Sequence, residues 1–160
     1  MQRLLRMVTL GTVLALVLPV IRLSAQATDP LIGTWELNLA KSKYSPGPAP
    51  KSQTRTYEVA RQAVKFSAKG VDAEGKPTLA HYTASYDGKD YPIIGNPDAE
   101  TMSLKRIDSF TAEATLKKAG KVVITTRRVI SQDGKVMTLT SKGTNAKGET
   151  LNNVLVFDKR

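Results

Sequence analysis

Three arginines sit where alternating strands should carry apolar side chains. Arg55 shares a strand face with Tyr57 and Val59, Arg106 with Met102 and Leu104, and Arg128 with Val122, Ile124 and Ile130. Residues two apart in an extended chain point to the same side, so each guanidinium heads the way of its apolar neighbours. Burying an unpaired charge costs several kcal/mol. Such arginines must be paired, hydrated or set at an open rim, or else they meet in an interior and hold an anion. Glu36, Glu58 and the face of Trp35 are the partners the pairing reading offers. On the anion reading, the planar donors of arginine suit a carboxylate or phosphate, and tyrosines supply hydroxyls. The candidate ligand-binding set is then Arg55, Tyr57, Tyr82, Tyr86, Arg106 and Arg128. One register stays open: Val123, Thr125, Arg127 and Val129 form a comparably mixed face, and a one-residue slip exchanges Arg127 for Arg128.

Other chemistry is thin. His81 is the single histidine, and it falls on the face opposite Ala80 and Tyr82, toward solvent. With no cysteine in the chain and no carboxylates at ligand spacing around His81, no metal site is expected. No nucleophile elbow appears, and no glycine-rich loop opens a helix. The expectation is a binding protein without cofactor or catalysis, not an enzyme.

Strands must position these residues. The chain alternates apolar and polar residues, and turns punctuate it at short intervals. The turns are Ala73-Glu74-Gly75-Lys76, Asp87-Gly88-Lys89, Lys118-Ala119-Gly120-Lys121, Asp133-Gly134-Lys135 and Ala146-Lys147-Gly148-Glu149. They separate about ten strands, at 31–38, 53–60, 62–69, 78–86, 90–94, 101–107, 110–118, 121–131, 135–142 and 150–158. The only helical segment is a turn at 39–43, and the "SPGPAP" run after it stops any helix or ladder and should run extended over the surface. Short turns between consecutive strands make an antiparallel meander, and closure removes its two exposed edges. The fold expected is all-β: one up-and-down antiparallel barrel of 8–10 strands, with at most one short helix after the first strand. Ala80 and Ala84, and Ala112 and Ala114, fall on inward faces, so the barrel should leave space inside.

The stretch Gly33-Thr34-Trp35-Glu36-Leu37 resembles the first strand of the calycin superfamily, the lipocalins and fatty-acid-binding proteins, and is most similar to the latter. The segments "DPLIGTWELNLAKSKYSPGPAPKS", "YDGKDYPIIGNPDAETMSLKRID" and "SKGTNAKGETLNNVLVFDKR" look like a bacterial group of exported lipocalin-like proteins of unknown function. That resemblance implies a barrel whose Gly33 and Trp35 are structural. In it, the indole closes the floor beneath a basic residue near the last strand, here Arg128, Lys159 or Arg160. The chain departs from fatty-acid-binding proteins in two ways: the first connection is too short for a two-helix lid, and the end, Phe157-Asp158-Lys159-Arg160, lacks their Arg-x-Tyr.

The start has a different character. Arg3 and Arg6 precede the apolar run Met7 to Ile21, and Ala25-Gln26-Ala27 follows as a small-x-small site. That is the layout of a secretory signal peptide over 1–27, leaving one lipocalin-like domain at 28–160 in the periplasm or outside the cell. The run is short for a membrane anchor, so no span is expected in the mature form. Without Arg3, Arg6 and Arg22, 21 basic residues face 14 acidic ones, a formal +7. The lysines are dispersed among turns and form no basic stripe, so nucleic acid is not an expected partner, and a monomer is. Two functions remain open: a carrier of a small hydrophobic or amphipathic anion such as a lipid or fatty acid, or an envelope module with a filled barrel whose basic surface meets anionic lipid or polymer.

Overall fold

In the computed structural model the described residues are 29–160. The signal-peptide reading of 1–27 lies outside them. Ten strands follow in order: β1 (Gly33–Leu37), β2 (Ser52–Ala60), β3 (Ala63–Val71), β4 (Pro77–Ala84), β5 (Tyr91–Pro92), β6 (Thr101–Arg106), β7 (Thr111–Lys118), β8 (Lys121–Ile130), β9 (Val136–Thr144) and β10 (Thr150–Lys159). A single 3-10 turn, Leu39–Lys41, follows β1, and the Asn38 side chain caps it by accepting the Lys41 amide. Every neighbouring pair is antiparallel, and the sheet runs β4-β3-β2-β1-β10-β9-β8-β7-β6-β5. First and last strands meet in sequence, as an up-and-down barrel requires.

Closure rests on one pair. His81 of β4 and Ile94, just past β5, exchange backbone hydrogen bonds at 3.0 Å each way. The approach is tight because Gly95 sits there with φ +76°, and a Cβ at that position would lie 1.9 Å from the Leu79 carbonyl oxygen. The strand expected over 90–94 is correspondingly short. Pro92 lacks an amide hydrogen, and the chain turns away to close the seam instead of continuing a ladder.

The register settles which residues face inward. Tyr57, Phe66 and Tyr82 form one row across β2, β3 and β4, and Arg55, Ala68 and Ala80 form the next. On β8 the inward residues are Ile124, Thr126, Arg128 and Ile130. Arg127 points out and pairs with Glu113. Val122 is a correction: it does not share the Arg128 face but is 56% exposed. The cause is a bulge, in which Leu116 opposes Ile124 while Lys117 opposes Val122, so alternation changes phase at Val123. Val59 likewise leaves the inward face at the end of β2, where it is exposed.

The chain before β1 plugs one end. Asp29 pairs with Arg106 on β6, while Gly33 opens β1. These strands stand five places apart in a ring of ten, so residues 29–32 cross the barrel floor. Leu31 is buried there at 1% exposure. Trp35, fully buried, donates its indole N–H to the Leu31 carbonyl at 2.8 Å. Lys159 supplies the basic partner: its ammonium lies 5.0 Å from the indole ring centre and donates to the Pro30 carbonyl at 2.8 Å. Gly33 takes φ +131°, and a Cβ there would meet the Lys159 stem at 3.0 Å. The glycine of the Gly-x-Trp pair is therefore the gap through which the lysine crosses to the indole.

Candidate functional site: an interior cavity floored by arginine

Above that plug the barrel is hollow. A cavity of about 370 Å³ opens toward the end formed by the turns after β3, β7 and β9 and the loop after β5. Small inward side chains make the space. Ala68 and Ala80 stand side by side on one wall, and Ala112 and Ala114 on β7 face them across the interior. Met102, Leu104, Ile124 and Leu139 are among the apolar side chains on the lining.

The mouth is tied together by polar contacts between loops. The Asp98 carboxylate accepts the Ala146 amide at 2.7 Å, and Glu100 accepts the Ala119 amide at 3.0 Å. The proline-rich connector passes alongside. Lys43 bridges to Val154 of β10, the Ser45 carbonyl accepts from Asn152, and Pro50 reaches the cavity edge.

Arg128 lies deep in this space at 8% exposure. One terminal nitrogen, Nη2, donates to the Tyr86 hydroxyl at 2.6 Å. The Nε is buried without a partner among the described residues. The guanidinium carbon stands 5.6 Å from the Tyr57 ring centre and 5.8 Å from that of Tyr86. Burial works against the charge, but Tyr57, Tyr86 and Tyr82 around it, together with the Tyr86 hydrogen bond, outweigh burial and hold its pKa above the ordinary arginine value. The group is a permanent cation with no carboxylate beside it. Tyr82 is the reverse case. Burial raises its pKa well above that of free tyrosine, Tyr57 adds to this, and Arg128 opposes it, so the phenol stays neutral.

Of the six candidate ligand residues, Arg55, Tyr57, Tyr82 and Arg128 line the cavity. Tyr57 and Tyr82 flank Phe66, with ring centres 5.1 and 4.6 Å from it, in a continuous aromatic wall. Arg55 leans over Phe157 at 4.8 Å and donates its Nε to the Gln53 side chain at 2.8 Å. Two candidates do not line the cavity. Tyr86 stands behind Arg128 as its acceptor. Arg106 turns to the floor, where Asp29 holds it at 2.5 Å and the Tyr86 ring lies 4.1 Å beneath its guanidinium. Its acid is thus Asp29, which sequence reasoning did not weigh. Glu36 goes to Arg160 and Glu58 to Lys65.

Sequence reasoning also passed over Thr126, Ser141, Gln53 and Asn153, which line the cavity. Thr126 and Ser141 hydrogen-bond each other at 2.8 Å. The signal was present, since Thr126 shares the Arg128 face and Gln53 the Arg55 face. His81 is exposed on the outer wall, and among the described residues no three His, Asp or Glu side chains gather as a metal ion would require.

No protein-family model matches the sequence, and no curated protein matches it either. Several solved barrels align with it in structure. The zebrafish ileal bile acid-binding protein complexed with cholic acid covers 82% of this chain and 99% of its own, at 12% identity and a TM-score of 0.49. Two redesigned β-barrels bound to DFHBI, mFAP1 and mFAP0, each cover 82% of this chain, with identities of 16% and 15% and TM-scores of 0.41 and 0.38. They span 96% and 99% of their own lengths. The fold is established by the strand order and register described above: an all-β antiparallel up-and-down barrel of ten strands.

Proposed function

We propose that this chain is an exported carrier of a small amphipathic anion, fatty-acid-like in character, which it binds inside the barrel without chemical change. The observation that carries the reading is Arg128, a buried cation without a carboxylate partner at the bottom of a largely apolar cavity. A charge in that position is costly unless something pairs with it. An acidic head group on Arg128, flanked by the Tyr57 and Tyr82 hydroxyls, supplies the pair, and the alkyl part lies against Met102, Leu104 and Leu139. A volume of about 370 Å³ falls near the small end of ligand pockets, roughly 300–1,000 Å³, which favours one short chain over a two-chain lipid. The hollow interior favours a carrier over an envelope module with a filled barrel. The leader pattern over 1–27 supports export, to the periplasm or beyond.

Native mass spectrometry of protein purified gently from its own host tests this. The expected result is a bound species of fatty-acid-like mass that is displaced by added decanoate. Protein that emerges without such a species, and that takes up no decanoate in calorimetry, would overturn the reading.

A further inference from the structure

The cavity carries a second cation, and its setting differs from the first. Arg55 is the fourth residue of β2 counted from the mouth, and Arg128 is the eighth residue of β8 counted from the same end. Both line the cavity, and their strands stand four places apart in the ring, so the two guanidiniums come from different walls. The ion pairs among the described residues engage Arg106, Arg127, Arg160 and four lysines, and neither Arg55 nor Arg128 takes part in one. The acidic side chains at the cavity edge are already engaged: Asp72 caps the Lys76 amide, Asp98 the Ala146 amide, and Glu113 pairs outward with Arg127. Polar groups line the cavity too. Gln53 holds the Arg55 Nε, and Asn153 and the Thr126–Ser141 pair lie on the lining. The apolar side chains Leu104, Ala114 and Leu139 lie on the lining as well. The interior thus carries two separate cations with polar and apolar side chains beside them. Arg55 and Arg128 line the same cavity, so the two charges face one shared space.

We propose that the ligand is doubly acidic: a dicarboxylate or comparable dianion with an apolar middle, one acid on Arg128 and the other on Arg55. This rests on the carrier reading and narrows its ligand class. The physical contrast is sharp. A fatty monoacid puts a methyl group where a dicarboxylate puts a second charge. If only one cation were available, that second charge would lose its water without compensation, and the dicarboxylate would bind more weakly than the monoacid. With Arg55 as its partner, the order reverses.

Calorimetric titration of the full mature chain with octanoate against octanedioate, and with dodecanoate against dodecanedioate, reads the order directly. The expected result is that the better-fitting dicarboxylate binds about tenfold or more tightly than its monoacid. In Arg55→Gln that ratio falls to one or below. A monoacid that binds as well as or better than both dicarboxylates in the wild type overturns the dianion and leaves the carrier standing. A ratio unchanged in folded Arg55→Gln also overturns it. Failure of every acid to bind overturns both.

Discussion

Arg128 donates to the Tyr86 hydroxyl at 2.6 Å, and that bond is the hinge between the cavity and the floor. Above it the guanidinium faces the ligand space. Below it the Tyr86 ring stacks on Arg106, which holds Asp29 at the start of the plug. Tyr86→Phe keeps the stacking and removes only the acceptor. The buried charge then loses its hydroxyl hydrogen bond, which costs about 1–3 kcal/mol. Urea denaturation of the two proteins should show a lower midpoint at an unchanged slope, which together give that loss in unfolding free energy.

Lys159 over Trp35 is the second relationship with a measurable worth. Lys159→Met keeps the apolar stem crossing Gly33 and removes the ammonium from the indole face and from the Pro30 carbonyl. A loss of about 1–2 kcal/mol is expected, with a shift in Trp35 fluorescence that reports the floor alone, since the chain has one tryptophan. Arg160→Met breaks an exposed pair with Glu36 and should leave the denaturation midpoint unchanged.

Filling the cavity should separate binding from folding. Ala80→Leu places a branched chain in the hollow beside Ala68 and Tyr82. The fold should survive, because the new atoms enter space and not packed core. Decanoate affinity should drop about tenfold or more, read by calorimetry beside a thermal melt that stays within a few degrees of the wild type.

Tyr82 makes alkaline stability fall. Its phenol titrates near 10 in the unfolded chain and higher in the folded one. Between those values the native protein holds a proton that the unfolded chain has released, so folding stability decreases as pH rises. The contribution is whole below about pH 10 and declines above it by up to about 1.4 kcal/mol per unit. Chemical denaturation from pH 8 to 11 should show this decline in the wild type and a shallower one in Tyr82→Phe.

Much of this architecture could be read from residue order. Alternation and glycine turns located all ten strands, since a barrel with one wet face writes a period of two into each. Arg55 and Arg128 stood out for the same reason, as charges on apolar faces. What escaped depends on contacts far apart in the chain. Arg106 read like the other two, and only the fold brings Asp29 to it across 77 positions. Lys159 was one of three candidates over Trp35, and the Gly33 gap that selects it is a matter of packing. The bulge at Val123 shifts one side-chain phase, and the glycine packed against it, Gly143, lies far along the chain on β9. Whether alanines leave a void or draw the walls together is decided by barrel curvature, which no short window records.

The most direct test of the anion site compares two adjacent arginines on one strand. Arg128→Gln and Arg127→Gln remove the same charge, one into the cavity and one into solvent. Calorimetric titration with decanoate should show Arg128→Gln weakened about tenfold or more and Arg127→Gln within about twofold of the wild type. Equal affinities for the two folded variants would contradict a ligand held by the buried guanidinium.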